Sequence, residues 1–326
     1  MSVAIDAAAR GSHADPAAKA DQYLSNLNST FRVATGWNFR SSPRVAATIE
    51  KIKRRIPKQI RARRGQADLK LLYQHIAGWG ATGQLSMEQL TVAAVVLFMA
   101  DTLGRAQAVR GLPLIGEHAY FCRVDGSRCE PESAAGLRFR LQGQKTVGGT
   151  LSEWFTIKKA RHSRSTLSAA EHKRTCTITV LATLVAKLGD DAHCGKATKY
   201  PAASSESKKY GPSFFIRADK TKAATRRVMS CATISKVVTK VLTDSAFIVD
   251  KQPGEASHVL RKHCTSAVLL LRLPHIPAVV VHERAHHSAA TWEATYRTEQ
   301  CSRQAEAFAR LPPQRQDLSI EEALRL

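Results

Sequence analysis

The sequence predicts a mainly α-helical protein with one small antiparallel β-sheet, an α+β chain in two domains. Three observations carry this. Apolar residues recur at helical spacing along most of the chain. A central stretch switches to short runs rich in aromatic and branched residues, HAYFCRV, LRFRLQ and SEWFTIKK, separated by turn sequences. A glycine-containing loop at 78–83 divides a basic helical region from a more apolar remainder, and 326 residues suffice for two cores. The expected division is a disordered N-terminus (1–19), a basic helical domain (20–82), a larger mixed domain (83–305) and a tail helix (306–326).

The elements follow in order. Residues 1–19 are small and polar and offer little apolar surface to bury. SSPRVAATIEKIKRRI then opens with Ser and Pro, a helix start signal, and sets Val45, Ile49, Ile52 and Ile56 at helical spacing. ADLKLLYQHIAGWG reads as a helix closed by glycines. LSMEQLTVAAVVLFMADTLG starts at Ser86 with Glu88 nearby and runs as an apolar helix into Gly104 and Arg105. Three strands come next, with turns at DGS, GQKTVGG and ARHS. TITVLATLVAKLG is a helix, residues 190–211 are a polar loop, and ATISKVVTKVL is a further helix. RKHCTSAVLLLRL, PAVVVHERAHH and SAATWEATYRTE are helical in pattern, and LSIEEALRL is a short tail helix that could dock on a neighbouring chain. The sequence contains no internal repeat.

Lys and Arg number 49 against 27 Asp and Glu, a net charge of +22. Such a surplus favours a polyanionic partner, nucleic acid first. Residues 50–64 hold Lys51, Lys53, Arg54, Arg55, Lys58, Arg61, Arg63 and Arg64 against a single acid. That run reads as a phosphate-gripping surface, although a solvated helical face or a nuclear localisation signal gives the same pattern. The seven cysteines are scattered without a CxxC pair, which argues against a zinc ribbon or a disulfide framework and for a reducing interior. No signal-peptide-like apolar run opens the chain, and no apolar stretch reaches the roughly 18–20 residues of a membrane span. The expectation is an intracellular protein with no membrane partner.

Four pieces carry chemistry. TLGR ends in Arg105, GQKTVGG places Lys145 between two strands, HVLR holds His258 and Arg261, and HSAATWEATY holds His287 and, nine residues on, Tyr296. In this order and spacing they resemble the tyrosine recombinase, or phage integrase-like, family. The likeness spans about residues 90–298, and more weakly the basic N-terminal region, which corresponds to the family's core-binding domain. The resemblance implies a two-domain clamp on double-stranded DNA and a tetramer on paired sites. It implies DNA recombination or integration through a 3′-phosphotyrosyl intermediate, with no metal and no cofactor. By the same resemblance Tyr296 is the nucleophile and His258 its general base. Arg105, Arg261 and His287 bind the phosphate oxygens, and Lys145 is the acid for the leaving 5′-oxygen. The basic N-terminal region and long insertions look most like recombinases of eukaryotic transposable elements. That source implies the nucleus; any other implies the cytoplasm.

The residue types suit the reaction. Attack on a phosphodiester builds negative charge on the non-bridging oxygens, and preorganised cations in a dry site stabilise it preferentially. Arginine forks match those oxygens, and a covalent ester conserves the bond energy, so no ATP is needed. Singly, each residue has an ordinary explanation: a structural histidine, a salt-bridge arginine, a hairpin-tip lysine, a core tyrosine. Their joint order is the signal.

Three departures accompany the likeness. Ala108 stands where the family often has an acid, three positions after the first arginine. The step from Arg261 to His287 is 26 residues (287 − 261), a few longer than usual, with the extra residues expected around 273–276. His286 stands where the family usually has glycine. Two alternatives therefore stay open. One is a recombinase-derived DNA-binding protein with impaired catalysis. The other is a zinc metalloprotease reading of HERAH, with His282 and His286 as ligands, Glu283 as base, and Glu293 or Glu299 available as a third ligand.

Overall fold

The computed structural model describes residues 16–38, 41–44, 47, 68–142, 151–161, 167–189, 213–215, 228–248, 256–271, 275–285 and 318–325. They fall into two compact units, Met1–Arg64 and Gly65–Leu326. The described residues are mainly helical, with one three-stranded antiparallel sheet.

In the first unit, helix α1 (Pro16–Thr35) begins inside the segment expected to be disordered. Proline fits the first helical position, where its missing N–H has no intrahelical partner to lose. Tyr23, Leu27 and Phe31 recur every four residues, which is the helical signal in that segment. Gly36, at φ +72°, ends the helix, its N–H reaching Arg32 O at 2.9 Å. Of the basic helix expected from Ser41, residues 41–44 and 47 are described; Lys51, Lys53, Arg54, Arg55, Lys58, Arg61, Arg63 and Arg64 lie outside the described residues.

The second unit begins with α2 (Leu69–Ala77), whose N-cap Asp68 accepts from the Lys70 N–H at 2.8 Å. The sequence grouped this helix with the N-terminal domain. It instead buries Leu69, Leu72, Tyr73 and Ile76 within the second unit. The reason is that the 78–83 loop is a turn inside the unit, with Gly80 at φ +116°. Helix α3 (Met87–Asp101) opens with a capping box in which Ser86 and Gln89, rather than the adjacent Glu88, exchange hydrogen bonds at 3.1 Å. From Ala93 to Asp101 every residue is buried. A helix apolar on all sides needs neighbours on all sides. They are supplied by α6 (Thr177–Leu188), α7 (Cys231–Asp244) and α8 (Ala256–Leu270), and by the sheet, where Phe98 meets Phe139 at 5.3 Å. A short helix, α4 (Ala106–Arg110), follows α3 and packs on α7.

Strands β1 (Ala119–Cys122), β2 (Gly136–Phe139) and β3 (Phe155–Lys158) match the three predicted runs and pair antiparallel in sequence order. The row Phe121, Leu137, Ile157 faces the core; the row Tyr120, Arg138, Thr156 faces outward. Gly136 is required by close approach, since a Cβ there would lie 2.7 Å from Ile157 O. Helix α5 (Ala169–Thr175) opens on a Ser168–Glu171 capping box and packs against α2. Among the described residues, helices α9 (Ala278–Arg284) and α10 (Ile320–Ala323) follow, both packing on α8. Among the described residues no helix is long and apolar enough to cross a membrane.

The tail helix packs against its own chain. His275 donates through Nε2 to Leu318 O at 2.7 Å. Arg284 pairs with Glu321 at 2.6 Å, and Arg161 with Glu322 at 2.7 Å. Burial opposes ionisation of Glu322, but the hydrogen bonds from Arg161 and Ser319 outweigh it and hold the carboxyl below its ordinary range. Arg325 is buried against the equally buried Asp101 at 3.1 Å. Arg325→Met leaves that carboxylate buried without its cation and is expected to cost about 3–5 kcal/mol in urea denaturation. Asp101→Leu/Arg325→Met should recover most of the loss; a double variant as unstable as the single one would show that packing, not the charge, is what Arg325 contributes.

Candidate active site

The turn between α3 and α4 presents Arg105. Thr102 closes α3 by donating its hydroxyl to Phe98 O at 2.7 Å. Leu103 then adopts φ +52°, a left-handed backbone that leucine rarely takes, while its side chain is wholly buried. Gly104 follows in a space with no room for a side chain: a Cβ would lie 2.7 Å from the Ala108 Cβ and 2.8 Å from Thr102 Oγ1. Arg105 is the N-cap residue of α4, extended at φ −101° and ψ 171°, and its side chain is exposed. Among the described residues it makes no ion pair. The geometry is an exposed guanidinium on a turn locked by buried neighbours. It also accounts for Ala108, whose methyl group fills the space above Gly104.

Helix α8 carries His258 and, three positions on, Arg261. Arg261 is 1% exposed and donates through Nη2 to the carbonyl of Ala285. Ala285 is the C-cap of α9 and immediately precedes His286 and His287 in the chain. The bond therefore ties the HVLR helix to the helix that leads into the HSAATWEATY segment. Because α3 and α9 both pack on α8, the TLGR turn, HVLR and HERA stand on helices that share α8 as a neighbour. Lys145, His287 and Tyr296 lie outside the described residues; Lys145 falls in the connection between β2 and β3.

A further histidine on α8, His263, meets Phe247 edge-on at 5.3 Å. Burial, assisted by the neighbouring Lys262 charge, lowers its pKa to about 4. In α9, His282 is half-buried and Glu283 exposed, while His286 lies outside the described residues. Among the described residues no group of three metal-ligating side chains occurs. Sequence reasoning missed the Leu103 backbone, the Gly104–Ala108 contact and the Asp101–Arg325 pair. The left-handed turn has no composition signal at a leucine, and the ion pair joins residues 224 positions apart. Compared with known proteins, the chain matches no family model, no curated protein and no solved structure.

Two measurements probe this region. Gly104→Ala forces a methyl group against Ala108 and is expected to cost about 1–3 kcal/mol by urea denaturation, with Ala108→Gly in the same chain restoring part of it. An alanine at 104 that leaves the urea midpoint unmoved contradicts the close packing. The second concerns pH. His263 is depressed in the folded state, so between pH about 4 and its ordinary 6.5 the unfolded chain binds a proton that the folded chain does not. Stability should therefore fall as pH drops through that window, by as much as roughly 3 kcal/mol, and should be intact above it. His263→Gln should flatten that part of the stability–pH curve; equal slopes in both proteins would show that His263 is not its source.

Proposed function

We propose that this chain is a tyrosine recombinase, cleaving one strand of duplex DNA with Tyr296 and rejoining it to a second 5′-hydroxyl. The observation that carries the reading is the Arg261–Ala285 bond, which holds the HxxR helix against the element leading into His287 and Tyr296. An exposed Arg105 on a locked turn, and a β2–β3 pair bracketing Lys145, support it.

In this mechanism the Tyr296 oxygen attacks phosphorus, forming the P–O(Tyr) bond as the P–O5′ bond breaks. His258 takes the phenol proton, and Lys145 gives one to the departing O5′. Arg105, Arg261 and His287 hold the non-bridging oxygens, whose charge grows in the transition state. The ester keeps the bond energy until a 5′-hydroxyl attacks in reverse, so the scheme balances without ATP or a divalent metal. Double-stranded DNA is the partner, gripped largely through phosphates by the basic run at 50–64, with four chains acting on paired sites.

A nicked suicide substrate tests this, because loss of the short 5′ fragment strands the protein on DNA. The wild-type chain should form a protease-sensitive adduct in excess EDTA, and Tyr296→Phe should form none while binding DNA with nearly unchanged affinity. An adduct persisting in the phenylalanine variant would remove Tyr296 from its role. Ala108, which puts no carboxylate behind Arg105, favours one second reading: a recombinase-derived DNA-binding protein without cleavage. Tight binding with no adduct from the wild-type chain would select it.

A further inference from the structure

The outward face of the sheet is neither apolar nor randomly polar. Strand alternation turns Tyr120, Arg138 and Thr156 outward in one cross-strand row, and continuing the register sets Arg140 opposite Trp154 in the next. The Arg138 guanidinium lies 5.1 Å from the Trp154 ring centroid and that of Arg140 lies 5.8 Å from it. Arg128, from the β1–β2 hairpin, lies 4.8 Å from the Tyr120 ring. Tyr120 and Trp154 meet edge-on at 5.6 Å, joining both clusters into one layer. Lys158, exposed on β3, extends the charge beyond it. Among the described residues no carboxylate pairs with Arg128, Arg138, Arg140 or Lys158.

We infer that this sheet face is a binding surface for the phosphate backbone of duplex DNA, separate from the residues proposed for catalysis. A guanidinium laid on an aromatic ring is already held in one orientation, so less freedom is lost when it binds. Its N–H edge stays available to bridge phosphate oxygens. Two of the arginines are further fixed by main-chain acceptors: Arg140 donates to Ser152 O and Arg128 to Gly116 O, both at 2.7 Å. A guanidinium lies over each of the two rings, so the face offers phosphate-binding N–H edges where an open ring would offer a stacking surface. That favours a duplex, whose bases are turned inward, over a single strand, which binds largely by stacking on open rings. In the chain, β2 and β3, the strands that carry this face, flank the segment holding Lys145. The inference shares with the proposed function only the premise that duplex DNA is the partner.

The test uses the full chain, a fluorescent duplex and a single-stranded oligonucleotide of the same length, with affinity measured across a salt series. Arg138→Gln/Lys158→Gln removes two charges without touching the main-chain bonds of Arg128 or Arg140. For the duplex, the slope of log affinity against log salt should fall by about 1.8, with affinity dropping roughly tenfold or more at physiological salt. Arg138→Lys/Lys158→Arg keeps both charges and should retain most of the slope. An unchanged slope in the glutamine variant overturns the inference. So does an equal loss in the charge-preserving variant, which would mark a structural effect, or a loss confined to the single strand. Trapping on the nicked substrate at saturating DNA separates this from the recombinase reading. A lowered duplex slope in a chain whose wild type forms no adduct upholds the sheet face while the recombinase reading fails. A normal adduct with an unchanged slope rejects the sheet face alone.

Discussion

The carboxylate of Asp101 sits at the end of a helix that is buried on every side, and the packing of the second unit depends on how that charge is satisfied. Thr177 donates its hydroxyl to it at 2.5 Å, and Arg325 donates two N–H groups at 3.1 and 3.2 Å. Burial pushes the Asp101 pKa up, and Arg325 pulls against that shift. Arg325 stays charged beside it, also donating to the carbonyls of Glu321 and Thr175 and lying 5.0 Å from the Tyr73 ring. A buried pair of this kind adds little net stability, because desolvation offsets most of the attraction. Its effect is on register. In this placement Arg325 is met by residues of α2, α3, the α5–α6 junction and α10, so these meet at one point four residues before Arg105.

The two acids of α10 extend the same logic. Glu321 holds Arg284 on α9, and Glu322 holds Arg161 just after β3. The end of the chain is thus bonded to a segment beside each of three pieces of the proposed site: the TLGR turn, the approach to His287 and the strand that follows Lys145. Within the TLGR turn the organising force changes from charge to volume. Leu103 is held at φ +52° by complete burial, and Gly104 is pressed against Ala108. Arg105 is therefore oriented by close packing, where a carboxylate at 108 would have oriented it by charge.

What the sequence made legible was local. Three strands were readable because aromatic and branched residues cluster in short runs, and α3 because its apolar residues continue past any single face. Ser168 and Glu171 spell a capping box, which is the local sequence signal for α5. Helix α1 was hidden because its stripe, Tyr23, Leu27 and Phe31, is thin within a polar segment. The membership of α2 was misleading, since glycines mark a turn inside a unit as readily as a linker between units. The recombinase-like residues were legible as a spaced set. The contacts beside them, Arg261 on Ala285 and Arg325 on Asp101, were not, because such contacts join positions far apart in the chain and leave no periodic trace.

The charge surplus shows the same limit from the other side. A net +22 states that cations outnumber acids, not which of them are free to meet a partner. The structure sorts them by what they already hold. Arg161, Arg284 and Arg325 are committed to Glu322, Glu321 and Asp101 of the same chain. Arg261 is buried on a main-chain carbonyl at the end of α9. Among the described residues, Arg105 is exposed and pairs with no acid, and Arg128, Arg138 and Arg140 rest on aromatic rings rather than on carboxylates. A cation bound to an acid must give up that bond before it can take a phosphate, whereas one resting on a ring keeps its partner and gains another. The arginines suited to a polyanion are therefore those that folding has oriented without neutralising. Among the described residues of this unit, the arginines at the turn after α3 and on the outer face of the sheet have that character.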